Sequence, residues 1–115
     1  MTPTRPALVG LAGPVLGDDE RVLLARLRPR GVLLFERNVT DHDQLRALTR
    51  EVDTILRDVG VDGPLIACDT EGGIVFPLHR AVDPGPGATT LGWIDRPHLT
   101  ETVHAERAAR LRTVG

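Results

Sequence analysis

The 115-residue sequence contains no lysine, no serine and no tyrosine. Without lysine there is no Walker A phosphate loop and no Schiff-base amine. Without serine or tyrosine there is no serine nucleophile and no phenolic acid. The single cysteine, Cys68, excludes an internal disulfide and a zinc site built on paired cysteines, and it fits a reducing compartment. Aromatic residues are few: Phe35, Phe76 and Trp93. The 14 basic residues, all arginine, are spread along the chain, and the net charge is only −2. A nucleic-acid partner bound through a basic stripe and stacking aromatics is therefore not expected. No apolar run approaches the roughly 20 residues needed to cross a membrane. The start, Thr2 to Pro6 leading into a short run broken by glycines, lacks a signal-peptide pattern. The sequence thus predicts a cytoplasmic chain with no membrane partner, forming one domain over residues 1–115. Its length allows an ordinary core, with roughly two thirds of the unfolded surface buried.

What is present centres on Pro64-Leu65-Ile66-Ala67-Cys68-Asp69-Thr70-Glu71-Gly72-Gly73. An apolar run of strand length stops at two carboxylates one residue apart, and two glycines follow. A buried strand would deliver acidic side chains to a sheet edge, and the glycines would let another group approach the backbone closely.

The remaining chain reads as alternating strands and helices. Ala7 to Leu11 reads as a first strand. Asp18-Asp19-Glu20 marks a helix start with Asp18 as cap, and Val22, Leu23, Leu24 and Leu27 supply its apolar side up to Pro29. Gly31 to Phe35 reads as a second strand, apolar on both faces, which suggests a parallel sheet covered by helices. Thr40 or Asp41 caps a helix whose Leu45, Leu48, Val52, Ile55, Leu56 and Val59 recur at helical spacing, with Gly60 closing it. Pro64 to Cys68 is the third strand. Residues 81–92 read as a Pro/Gly-rich loop. Asp95 and Pro97 mark a last helix running to about Arg112, with a loose stripe of Leu99, Val103, Ala108 and Leu111. The fold class is α/β, built from repeated βα units with right-handed crossovers.

Asp69 and Glu71 fall at the C-terminal end of a parallel strand, where α/β barrels and open α/β sheets bind ligands. Two carboxylates are also the chemistry of glycosidases, though Asp-x-Glu by spacing alone equally describes a local turn whose carboxylates accept backbone N–H bonds. Arg37 and Asn38 end the second strand as Asp69 ends the third, so they share its rim. Arg37 could brace Asp69 or Glu71 through a bidentate bond, or lie solvated beside the next helix. His79 follows the glycine turn and could face the cleft. His42, His79, His98 and His104 show no metal-ligand spacing. Cys68 reads as a small core residue. Pro84 to Gly92 has the look of a phosphate loop but lacks its lysine.

Gly31-Val-Leu-Leu-Phe-Glu-Arg-Asn38, then Gln44-Leu45, then Pro64 to Gly73 with its Asp-x-Glu-Gly-Gly, resembles the N-terminal barrel of glycoside hydrolase family 3, in particular its bacterial beta-N-acetylhexosaminidases. Ala88 to Gly92 and Ala105 to Gly115 extend the resemblance to the last residue. It implies the first three or so βα units of a TIM-like (β/α)8 barrel, and an activity that removes terminal beta-linked N-acetylglucosamine from cell-wall fragments during peptidoglycan recycling. It also implies retention through a glycosyl-enzyme on an aspartate, and no metal or organic cofactor. Asp69 and Glu71 become substrate-binding residues, Asp69 as a hydrogen-bond partner of a sugar hydroxyl, with Arg37, Asn38, Gly72, Gly73 and His79 as rim support. The family usually carries arginine after Gly-Gly and again three residues later. Here these are Ile74 and Pro77, which implies weaker sugar binding at this rim.

A full barrel needs about 250 residues. The family's Lys-His-Phe-Pro-Gly-His-Gly segment, its histidine acid/base loop and its nucleophilic aspartate have no counterpart in the 115 residues. The expectation is a fragment or truncated relative with no catalytic residues of its own, inactive alone, that binds an N-acetylglucosamine-containing saccharide when completed by the rest of the barrel. The alternative is a non-catalytic module that self-associates, or pairs with a partner, through an open sheet edge.

Overall fold

The computed structural model describes residues 3–70, 72–73 and 76–115. Three parallel strands, β1 (Arg5–Gly10), β2 (Pro29–Leu34) and β3 (Leu65–Cys68), form a sheet in the order β1-β2-β3. Helix α1 (Asp18–Leu27) connects the first pair and α2 (His42–Asp58) the second. Stepping in one direction with right-handed crossovers places both helices on one face. The parallel sheet covered by helices that the sequence predicts is present, with the two connecting helices on one face of it.

The covered face forms the core. Val32 and Leu34 of β2 pack with Leu24 of α1 and with Leu45, Leu48, Val52 and Leu56 of α2. Ile66 and Cys68 of β3 lean on the same cluster. The alternation of a strand sends the intervening residues the other way. On that face Leu8 is 42% exposed and Leu65 48%. The register pairs Gly10 with Leu33 and Leu34 with Cys68, so all three strands deliver their C-terminal ends to one rim.

Local chemistry sets the element ends. The cap of α1 is Gly17 and not Asp18: the Glu20 carboxylate reaches back to the Gly17 N–H at 3.1 Å and to the Ala12 N–H at 2.9 Å. Asp18 lies inside the first turn and pairs with Arg21 at 2.8 Å. Asp41 caps α2, its Oδ1 accepting the Gln44 N–H at 2.8 Å. After the third strand, Pro84 to Gly87 stay irregular, but Ala88–Ile94 form a short helix α3 where the sequence predicts loop. Two threonines and a glycine in seven residues hide its one buried apolar residue, Leu91. Asp95, with φ +50, ends α3, and Pro97 opens α4 (Pro97–Arg112). On α4 the predicted stripe is only partly seated. Ala108 is exposed, and the buried position is Arg107. The end of α4 docks on α2, where the Thr49 hydroxyl donates to the Val114 carbonyl and His42 Nε2 lies 3.0 Å from Thr113 Oγ1.

Candidate functional site

The rim is assembled from the residues that follow each strand. After β2, Glu36–Asn38 form a single 3₁₀ turn. That turn folds Asn38 inward, and its side chain is fully buried. Asn38 Nδ2 donates to the carbonyls of Leu11 (3.1 Å) and Gly13 (2.9 Å), and its Oδ1 accepts the Phe35 N–H at 2.8 Å. Gln44 Nε2 then donates to the Asn38 carbonyl at 2.9 Å and to Pro14 at 2.6 Å.

Arg37 points back along the same rim toward β1. Its Nε donates to the Leu11 carbonyl at 2.8 Å, and its guanidinium stacks over the Phe35 ring, 4.7 Å from the centroid. Among the described residues it forms no ion pair with Asp69, because the 3₁₀ turn aims it at β1 and not at β3. Arg37 and Asn38 thus order the β1 and β2 exits.

Asp69 follows the last residue of β3 and is exposed. Among the described residues no hydrogen bond or ion pair reaches its carboxylate. Burial, and next the Asp69 charge, push the neighbouring Cys68 thiol above its ordinary value, so Cys68 is a neutral wall residue. Glu71, the second carboxylate of the motif, lies outside the described residues, as does Ile74. Gly72 and Gly73 have φ of +71° and +54°, a region that costs glycine little. The Gly73 N–H donates to the Gly85 carbonyl at 3.2 Å, which ties the turn to the Pro84-Gly85-Pro86 segment.

His79 is exposed, with Nε2 3.8 Å from Glu36 Oε1, and Arg80 Nη2 lies 3.2 Å from the same carboxylate. The 76–82 segment is thereby pinned to the β2 exit. Glu36 had no signal in the sequence beyond its place before Arg37. Arg107 had none either, since a basic residue on a weakly amphipathic helix reads as solvated.

Among the described residues, no group of three or more His, Cys, Asp or Glu side chains is placed to hold a metal ion. No described helix is long and apolar enough to cross a membrane. Two hollows have linings that do not include Asp69, though the second is lined by its neighbours Cys68 and Thr70. One, of about 410 Å³, is lined by Arg46, Arg50 and Arg57 of α2 with Pro64 at the start of β3. The other, of about 230 Å³, lies between β3 and the end of α4, lined by Leu34, Ile66, Cys68 and Leu111 among others. Volume alone would draw attention to these. The strand ends, with an exposed carboxylate on a buried polar scaffold, are the chemically equipped surface.

No family model matches the chain. Among curated proteins it is similar to a beta-hexosaminidase of Alkalilimnicola ehrlichii, 44% identical over 71% of this chain and 23% of that protein. It is also similar to a beta-hexosaminidase of Chromobacterium violaceum, 38% identical over 98% of this chain and 32% of that protein. Among solved structures, the glycoside hydrolase family 3 beta-N-acetylglucosaminidase of a Paenibacillus species superposes with a TM-score of 0.85, at 28% identity, over 93% of this chain and 20% of that one. NagZ from Neisseria gonorrhoeae in complex with N-trifluoroacetyl-D-glucosamine gives a TM-score of 0.56 at 29% identity, over 70% of this chain and 22% of that one. The chain spans less than a third of the length of these relatives.

Proposed function

We propose, of a chain that belongs to glycoside hydrolase family 3 as an N-terminal portion of its barrel, that its rim binds a terminal beta-linked N-acetylglucosamine residue. Asp69 is the polar contact that carries this reading: an exposed carboxylate at the C-terminal end of a parallel strand, where this architecture takes ligands. An ionised carboxylate accepts hydrogen bonds from sugar hydroxyls, and such charge-assisted bonds are about twice as strong as neutral ones. The buried Asn38 network and the Gly72-Gly73 turn hold the flanking backbone in place. The similar structures are of a beta-N-acetylglucosaminidase and of a NagZ in complex with an N-acylated glucosamine, which supports this sugar class. The substrate would be a cell-wall fragment recycled in the cytoplasm.

Retaining hydrolysis needs a nucleophile and an acid/base group. None of the 115 residues is assigned either role, so this portion recognises sugar and does not cleave it. Titration calorimetry of the chain with N-acetylglucosamine, alongside an assay with an aryl N-acetylglucosaminide, tests both halves. Saturable binding without release is the expected result. Saturable release of N-acetylglucosamine by the purified 115-residue chain would refute the division of labour, and the absence of any binding would refute the sugar reading.

The uncovered sheet face, with Leu8 and Leu65 about half exposed, favours one second reading. In that reading the chain is a module whose open β3 edge and apolar face pair with another copy. A discrete oligomer in sedimentation, unchanged by sugar, would support it.

A further inference from the structure

Arg107 is 3% exposed, although arginine is almost never fully buried without a charge partner. Among the described residues no carboxylate pairs with it. Its Nε donates to the Pro84 carbonyl at 3.0 Å and its Nη2 to the Pro86 carbonyl at 2.8 Å. Its Nη1 lies 3.3 Å from His104 Nδ1, which accepts in the neutral imidazole. The planar fork thus spans two carbonyls of the Pro84-Gly85-Pro86 strap.

The strap in turn holds the glycine turn. Gly85 lies between the two bonded prolines and accepts the Gly73 N–H at 3.2 Å. Gly72 packs directly on the guanidinium: a Cβ there would collide with Nη2 and would sit 2.6 Å from the Pro86 carbonyl oxygen. Gly73 has only 3.3 Å between an added Cβ and the Gly87 Cα. The two glycines therefore serve to let a buried cation and its strap close on the backbone, as well as to supply positive φ.

We infer that Arg107 is the positioning residue of the rim: it sets the Gly72-Gly73 turn from below, and through it the backbone that presents Asp69. As a statement about sugar affinity this rests on the function proposed above. As a statement about the turn it stands alone. A lysine is a poor replacement, because its ammonium is a point charge on a flexible stem and lacks the rigid planar fork that bonds the two carbonyls from Nε and Nη2.

The test is amide hydrogen exchange by NMR on the full 115-residue chain, for wild type, Arg107→Lys and Arg107→Met. The expected result is Gly73 exchange at least about tenfold faster in both variants, with the Val32 amide in β2 still protected, the factor being that of one hydrogen bond lost. Unchanged Gly73 exchange would overturn the inference. Should Val32 protection also be lost, the wild type alone decides. Its Arg107 Nε–H must exchange far more slowly than that of the exposed Arg26, and equal rates would overturn the proposal. Titration with N-acetylglucosamine separates the two layers. Faster Gly73 exchange with no sugar bound by wild type leaves the positioning role standing and removes the sugar reading. Equal sugar affinity in wild type and Arg107→Met removes the link from the turn to Asp69.

Discussion

The Asn38 side chain closes the exit of β2 onto the Leu11 carbonyl, 3.1 Å from its Nδ2, and Arg37 Nε shares that acceptor at 2.8 Å. One fully buried amide satisfies three backbone groups on two different connections: the carbonyls of Leu11 and Gly13 and the N–H of Phe35. Parallel strands depend on such ties where they end, because the ladder stops there and the leftover polar groups must find other partners. The rim thus stands on a polar scaffold beneath its exposed surface.

Removing that scaffold should be costly. Asn38→Ala leaves the Gly13 carbonyl and the Phe35 N–H without their side-chain partner and the Leu11 carbonyl with Arg37 Nε alone, and the expected loss is about 2–4 kcal/mol. Asn38→Asp should fare little better, since a carboxylate donates nothing to the two carbonyls and faces them with like charge. Urea denaturation monitored by circular dichroism reads both. A loss of less than about 1 kcal/mol for Asn38→Ala would mean that water takes over the amide's role.

Two glycines should respond in opposite directions to the same substitution. At Gly31 a Cβ would drive into the backbone of Leu65 on the adjacent strand. Gly31→Ala should therefore force β2 and β3 apart and destabilise by about 3 kcal/mol or more. At Gly92, inside α3, an added Cβ meets nothing within 4 Å. Gly92→Ala should stabilise by about 0.5–1 kcal/mol through reduced unfolded-chain entropy. Paired denaturation curves check the signs, and a neutral Gly31→Ala would show that the sheet can open at no cost.

The contrast between those glycines marks how far the sequence can be read. The three strands and α2 are legible because Val32, Leu34 and the Leu45–Leu56 series carry their period in apolar residues. The motif from Pro64 to Gly73 is legible as a site because chemistry and turn residues coincide there. Helix α3 is not legible: its seven residues hold one buried apolar side chain, Leu91. Arg107 is invisible for a different reason. Its burial is settled by carbonyls of a strap some twenty residues upstream, a relation with no local pattern. The bond from Arg37 to Leu11 is likewise non-local: its place at the end of β2 left open a brace on Asp69 or Glu71 or a solvated side chain, and the 3₁₀ turn sends its Nε to the Leu11 carbonyl.

Cys68 gives the rim a pH signature. Burial first, and the Asp69 carboxylate second, raise its thiol above the ordinary value of 9.0. A raised folded-state value means that the fold favours the neutral thiol. This contribution to stability is fully present below the unfolded value and is lost as pH rises through the folded one. Wild type should therefore lose stability above about pH 9 more steeply than Cys68→Ala, and iodoacetamide at pH 8 should label Cys68 more slowly than a free cysteine. Parallel denaturation midpoints across pH 7–10 decide the first point. Identical slopes in the two proteins would show that the thiol does not titrate differently on folding.

Asp69 should separate recognition from stability. Its carboxylate is exposed and, among the described residues, carries no hydrogen bond, so Asp69→Asn should leave the denaturation midpoint within about 0.5 kcal/mol of wild type. Sugar affinity should fall by about tenfold or more, because the charge-assisted acceptor becomes a neutral one and half of its acceptor capacity becomes a donor. Asp18→Asn is the control for net charge: it removes the same formal charge from the first turn of α1, away from the strand ends, where Asp18 has Arg21 as its partner. Titration of the three proteins with N-acetylglucosamine at two salt concentrations checks this. A drop confined to Asp69→Asn assigns the contact to that carboxylate. Equal drops in both variants would mean that the sugar responds to overall charge and that the rim's polar contact lies elsewhere.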